Sequence, residues 1–125
     1  MPQWTARRIA IADRYLRNLK DADGIVLPVR QAWAEQVYHL FVIRTQRRDA
    51  LREYLQDRGV QTGIHYPVAL SKLPAYRYLG AQDEKTFANS SDSQLLSLPI
   101  GEHLSDADCD YVCDCILSFL AVSEA

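Results

Sequence analysis

A chain of 125 residues that is 48% apolar can enclose the core of one compact domain, and with 24% charged residues it falls outside the composition of disordered segments. Its 16 acidic residues outnumber its 14 basic ones, for a formal net charge of −2, which argues against a nucleic-acid partner. Its apolar runs are too short to span a bilayer and the stretch from Met1 to Arg8 has no apolar signal segment, so no membrane partner is expected and a cytoplasmic protein is.

Ile9, Ala12, Leu16 and Leu19 recur at helical spacing with Tyr15 beside them, which predicts a helix over residues 3–21. Arg7, Arg14 and Arg17 fall off this stripe and read as a solvated helix face. Asp23-Gly24 closes the element, and Ile25-Val26-Leu27 before Pro28 reads as a short extended segment at a sheet edge. Residues 37–43 are apolar on both alternating faces, the pattern of a central strand covered on both sides. His39 within it is expected to be a packed, hydrogen-bonded core or rim residue rather than a ligand. A helix over 47–58 should bury Leu51, Tyr54 and Leu55 and stop at Gly59, with a second strand over 60–66 after it. Residues 67–80 read as loop with a short helical turn around Pro74-Ala75-Tyr76. A further helix is expected over 85–96, weakened by Asn89-Ser90-Ser91, and an extended segment over 98–101.

Ser105 with Asp108 three residues on makes a capping box that opens a terminal helix running to about Val122. Cys109, Cys113 and Cys115 all fall in that helix, where Cys109 and Cys113 share an apolar stripe with Val112, Ile116 and Phe119. Neighbours along a helix are poorly placed for a disulfide, and this spacing is not that of a zinc site. Buried free thiols in a reducing compartment are expected, and no metal site.

The stretch Gly63-Ile64-His65-Tyr66-Pro67 is the chemical signature of the chain, because a histidine and a tyrosine sit together where an apolar strand meets a proline. Around it lie Ala6-Arg7-Arg8-Ile9-Ala10, then the run from Tyr38 to Arg44 with Arg48-Asp49, then Thr62 ahead of Gly63, and finally Leu96-Ser97-Leu98-Pro99-Ile100. In this order and spacing the blocks resemble the C-terminal part of the pyridoxal-phosphate-dependent nucleotide-sugar aminotransferases, the DegT/DnrJ/EryC1/StrS family. The resemblance implies an α/β (α+β layered) fold. Its small, mostly antiparallel sheet is packed with helices, as in the C-terminal domain of fold-type I aminotransferases. Residues 1–22 would form a linker helix and 23–125 the small domain.

In that family a preceding large domain holds pyridoxal phosphate on a Schiff-base lysine, and the small domain closes over the substrate. Lys20, Lys72 and Lys85 lie in no segment resembling the cofactor-lysine motif, and no glycine-rich turn opens a helix. The chain alone is therefore expected to hold no cofactor, to contain no catalytic residue and not to transaminate. The resemblance assigns His65, Tyr66, Thr62 and Gly63 to the substrate side, facing a nucleotide sugar. Imidazole and phenol can hydrogen-bond sugar or phosphate oxygens. Equally, His65 can fix its loop through the backbone and Tyr66 can cap the core edge. Many relatives have histidine and glutamine where Ser71 and Leu73 stand here, and proline at Ala69, which leaves the identity of the sugar open.

Other readings carry their own expectations. A stand-alone binding or self-assembly module using the same fold would expose Trp4, Ile9 and Ile11 on the first helix and form a homo-oligomer through it. A separate chain could supply the cofactor domain. A cysteine hydrolase built on His39 or His65 has no supporting context, since a nucleophile needs a base and an orienting partner.

Overall fold

A two-stranded antiparallel sheet organises the chain, with helices covering one of its faces. The computed structural model describes residues 2–81 and 85–122; Met1 and residues 123–125, which open the expected linker segment and close the expected small domain, lie outside the described residues. In chain order the elements are α1 (Pro2–Asn18), β1 (Phe41–Arg44), α2 (Arg48–Gln56), α3 (Phe87–Ser91), β2 (Leu95–Leu98) and α4 (Asp106–Val122). Short 3-10 turns at Leu70–Lys72 and Pro74–Leu79 follow the His65 segment, and another at Asp92–Gln94 leads into β2. β1 and β2 pair with Phe41 opposite Leu98, Val42 opposite Ser97, Ile43 opposite Leu96 and Arg44 opposite Leu95. Single antiparallel bridges widen the layer, Val26 onto Arg44 at one edge and Gly63 onto Ser97 at the other. The small, mostly antiparallel sheet packed with helices is thus the fold observed.

Alternation along the strands puts Phe41, Ile43, Leu96 and Leu98 on the inner face, all buried. α1 delivers Ile11, Ala12 and Tyr15 to the same core, with Leu19 just past its end, α2 delivers Leu51 and Leu55, and α4 brings Cys109, Val112, Cys113, Ile116 and Phe119. Each fully buried side chain of the Leu or Ile class contributes roughly 1.5–3 kcal/mol of transfer free energy. The thiols are buried and unbridged. The capping box forms reciprocally, the Asp108 N–H donating to Ser105 Oγ at 3.1 Å and the Ser105 N–H to Asp108 Oδ2 at 2.9 Å. Gly24 and Gly59 take φ of 86° and 76°, the left-handed conformation expected of them.

α1 departs from expectation in what it touches. Ile11 is buried and Ile9 packs against the core, so of the three apolar residues expected on an exposed face only Trp4, 55% accessible, is largely open. Arg7 and Arg14 are not a solvated strip. The Arg14 guanidinium donates to both Asp110 oxygens at 2.6 Å, and Arg7 donates to Asp106 at 2.8 Å and to the Leu104 carbonyl at 3.2 Å. The hydrogen bonds from Arg14 hold the Asp110 carboxyl below its ordinary range. Tyr15 completes the junction. Its ring lies 5.0 Å from that of Phe41, its hydroxyl donates to the Pro99 carbonyl at 2.8 Å, and burial pushes the phenol pKa up. Tyr15→Phe should cost about 1–3 kcal/mol, because a partly buried carbonyl loses its donor while the ring packing stays. Urea denaturation of the two proteins measures the difference.

Three strand expectations and one helix expectation need correction. The apolar run 37–43 is not one strand. Tyr38 takes φ of 49° and turns its ring into the core against Phe41, so regular pairing starts only at Phe41. Arg30 holds that turn, donating to the Tyr38 hydroxyl at 2.9 Å with its guanidinium 5.1 Å from the ring centroid, and Arg8 donates to the Tyr38 and His39 carbonyls. His39 is consequently exposed at the rim of a shallow groove beside Pro28 and Val42, not packed in the core. The strand expected over 60–66 reduces to the single bridge at Gly63. The helix expected over 85–96 ends at Ser91, where the Ser90 and Ser91 hydroxyls donate to the Phe87 carbonyl, and Leu95-Leu96 belong to β2. Finally, the outer face of the sheet is only half covered, contrary to the expected burial on both sides, because Val42 and Arg44 stay partly accessible.

Candidate functional site

The outer face carries Val42 and Arg44 from β1 and Leu95 and Ser97 from β2, since the residues between them point to the core. The segment before Pro67 docks on the free edge of β2. The Gly63 N–H donates to the Ser97 carbonyl at 3.0 Å and the Ser97 N–H to the Gly63 carbonyl at 2.7 Å. Residues two apart in an extended segment share a face, so the His65 ring returns over Gly63. Its Nδ1 lies 2.9 Å from Ser97 Oγ. Its Cε1 occupies the space a side chain at position 63 would need, only 2.5 Å from where a Cβ would stand. The next peptide bond, His65–Tyr66, is cis. The Tyr66 ring meets the imidazole edge-on with centroids 5.8 Å apart and is itself 74% accessible.

Arg44 follows Val42 on the same face, diagonal to Ser97. Its guanidinium stacks 4.8 Å from the centroid of the exposed Phe87 ring, and among the described residues no carboxylate ion-pairs with it. An imidazole, an unneutralised guanidinium and two accessible aromatic rings suit a ligand that combines phosphate with a sugar or base.

The loop after Pro67 is tied down by Asp92. The Ala69 N–H donates to Asp92 Oδ2 at 3.0 Å, and Lys72 Nζ reaches both carboxylate oxygens at 2.9 and 3.0 Å. Ser71 also hydrogen-bonds Asn89. The Ala69 N–H and then Lys72 hold the Asp92 carboxyl below the usual carboxylate range. A group with a depressed folded-state pKa adds stability that is full above its unfolded pKa, about 3.9, and is lost as pH falls through the folded value. Stability should therefore decline below about pH 4, and Asp92→Asn should flatten that decline; urea midpoints measured from pH 2 to 7 check it.

The structure brings together only part of the expected site. Gly63, His65 and Tyr66 are brought together, the imidazole over Gly63 and the Tyr66 ring edge-on to the imidazole. Thr62 points away, lining a groove with Arg52, Gln56 and Val60 on the α2 side, because neighbours in an extended segment alternate. Ser97, Arg44 and Phe87 are the members that reading for chemistry passed over. The signal for Ser97 is the Gly-x-His spacing, which says that a ring will fold back onto whatever pairs with the glycine. That signal is not specific, since His103 folds over Gly101 in the same way, its Cε1 2.6 Å from the Cβ position.

The profile of the "DegT/DnrJ/EryC1/StrS aminotransferase family" matches residues 1–117, which includes every element just described except the end of α4. The chain belongs to this family. Among its DegT-family relatives, the "Erythromycin biosynthesis sensory transduction protein EryC1" of Saccharopolyspora erythraea is 45% identical over 90% of this chain and 31% of its own length. The dTDP-3-amino-3,4,6-trideoxy-alpha-D-glucose transaminase of Streptomyces venezuelae is 44% identical over 83% of this chain and 28% of its own. In structure, S. venezuelae DesV in complex with a ketimine intermediate superposes with a TM-score of 0.87 at 40% identity, covering 94% of this chain and 32% of that one. The aminotransferase TlmJ from Streptoalloteichus hindustanus superposes at 0.83 with 30% identity, over 98% of this chain and 33% of that one. The chain thus spans about a third of the length of the DegT-family proteins it matches.

The described residues do not fit pyridoxal phosphate. A lysine that condenses with it must be desolvated and free of a carboxylate. Lys72 is bound by Asp92, Lys20 sits 3.7 Å from Asp21 with 70% of its side chain accessible, and Lys85 is exposed.

Proposed function

We propose that the chain acts as the substrate-side small domain of a PLP-dependent nucleotide-sugar aminotransferase, with transamination depending on residues other than those described. The observation that carries this reading is the His65 imidazole, held by Ser97 on the half-open outer face of the sheet that also carries Arg44, a guanidinium with no carboxylate partner among the described residues. A nucleoside diphosphate sugar offers the matching chemistry, with phosphate oxygens for Arg44 and His65 and a ring to stack on Tyr66 or Phe87. Two DegT-family relatives named for dTDP-sugar transamination, 44% and 34% identical, support a dTDP-linked sugar as the substrate class, and antibiotic-sugar or polysaccharide biosynthesis as its setting is part of this proposal. Gly63 lets the ring approach, while Thr62 contributes from the neighbouring groove if the ligand extends past β2. A reducing cytoplasmic setting belongs to the same proposal, given three buried unbridged thiols.

The test is a titration with dTDP-glucose followed by amide NMR. Shifts concentrated at Gly63, His65, Tyr66, Ser97 and Arg44, reduced in His65→Ala, are expected. Shifts elsewhere only, or none at millimolar ligand, would count against the assignment.

A second reading, a self-assembling or partner-binding module, is favoured by a different observation. Trp33, Tyr78 and Leu70 are 86%, 81% and 70% accessible, far more apolar exposure than α1 offers. In this reading the homo-oligomer, or the contact with a separate cofactor-domain chain, forms through these loops, with α1 adding only Trp4. Light scattering of Trp33→Ser against the parent chain distinguishes this surface from the α1 face.

A further inference from the structure

Ser97 lies in β2 with 5% of its surface accessible, and the partner of its hydroxyl is His65 Nδ1 at 2.9 Å. A hydroxyl has one proton to donate and two lone pairs, and a buried donor left unmet is costlier than an unused lone pair. The Ser97 O–H therefore donates to Nδ1, which must then carry the lone pair, and the neutral ring keeps its proton on Nε2. Gly63 supplies the remaining constraint. Its backbone is fixed by the same residue through two hydrogen bonds of 3.0 and 2.7 Å, and only the missing Cβ lets the ring edge settle above it. Among the described residues Nε2 has no hydrogen-bond partner, and His65 is exposed.

We infer that Ser97 is a positioning residue that, with Gly63, holds His65 as the Nε2–H tautomer and presents that N–H on the open face as a hydrogen-bond donor. Its match is an acceptor oxygen, a phosphate or sugar oxygen of the ligand proposed above for this face, so the ligand role rests on that proposal. The tautomer and the residue that sets it do not. An Nε2–H donor selects oxygens with lone pairs and cannot accept from a sugar hydroxyl as a bare nitrogen would.

The test is nitrogen NMR of isotopically labelled histidine in the full chain at about pH 8, above the ordinary histidine range. His39 and His103 are separated from His65 by the His65→Gln spectrum. In the parent chain Nδ1 of His65 is expected to resonate as a pyridine-type and Nε2 as a pyrrole-type nitrogen, with a nuclear Overhauser contact from Hε1 to the Gly63 α-protons. Ser97→Ala should release the ring, so that the contact weakens and the Nδ1–H form becomes populated, while Ser97→Thr, which keeps a hydroxyl, preserves both. Affinity for dTDP should fall about tenfold in Ser97→Ala and recover in Ser97→Thr. A pyrrole-type Nδ1 in the parent chain, or a ring unchanged in Ser97→Ala, overturns the inference. If Ser97→Ala does not fold, the parent spectrum decides alone. A parent chain with the expected tautomer that ignores dTDP supports the hold of Ser97 on the ring and defeats the ligand proposal instead.

Discussion

Phe41→Ala is expected to destabilise the chain by about 3–5 kcal/mol, the range for removing a large aromatic side chain from a core. Phe41 is fully buried at the start of β1, and its ring lies 5.0 Å from Tyr15 and 6.0 Å from Tyr38. It therefore joins α1, the left-handed turn before β1 and the sheet. For a domain with roughly 5–15 kcal/mol of total stability, that loss is a large share. It should also loosen α1, which would keep its Arg7 and Arg14 contacts with α4, the hydrogen bonds of Arg8 and Tyr15 and the packing of Ile11. Chemical denaturation gives the magnitude, and hydrogen exchange shows whether α1 amides open first. A loss below about 1 kcal/mol would mean that the three elements are not joined through this ring.

Gly63→Ala has the second large effect, and it falls on the site. Gly63 does not occupy the left-handed region, so alanine meets no backbone penalty there. The whole cost comes from a methyl group 2.5 Å from His65 Cε1. The imidazole must swing away, and the buried Ser97 hydroxyl loses its acceptor, a loss of about 1–3 kcal/mol together with roughly tenfold in nucleotide-sugar affinity. The cause can be isolated with a double mutant. Gly63→Ala added to His65→Ala removes the clash, so the two changes should be strongly non-additive, with the second nearly free. Additive effects would place the role of Gly63 in the backbone pairing with Ser97 instead.

What could be read in the sequence was local. The Ser105–Asp108 box, the apolar stripe of α4, the stop at Gly59 and the burial of the three cysteines each depend on neighbours a few residues apart, where propensity and capping chemistry decide. What could not be read was pairing. Nothing in Leu95-Leu96-Ser97-Leu98 marks it as the partner of a strand more than fifty residues earlier, and an apolar pair after Asn89-Ser90-Ser91 continues a weak helix as readily as it starts a strand. Tyr38 misled for a related reason. A residue with positive φ breaks alternation without any glycine to announce it, and this sent His39 outward. The site shows the same division. His65 and Tyr66 stood out by chemical type, whereas Ser97 and Arg44 gain meaning only through the register that sets them on one face.

The most direct test of the central claim is a hybrid enzyme. This chain would replace the matching segment of the S. venezuelae dTDP-3-amino-3,4,6-trideoxy-alpha-D-glucose transaminase, 44% identical over 105 residues, and turnover of that enzyme's nucleotide sugar would be assayed. A substrate-side domain should support transamination in the hybrid, and His65→Ala should lower kcat/KM by about ten- to a hundredfold. A hybrid that folds and takes up its cofactor yet fails to bind the nucleotide sugar, or one that turns it over equally well without the imidazole, would contradict the account.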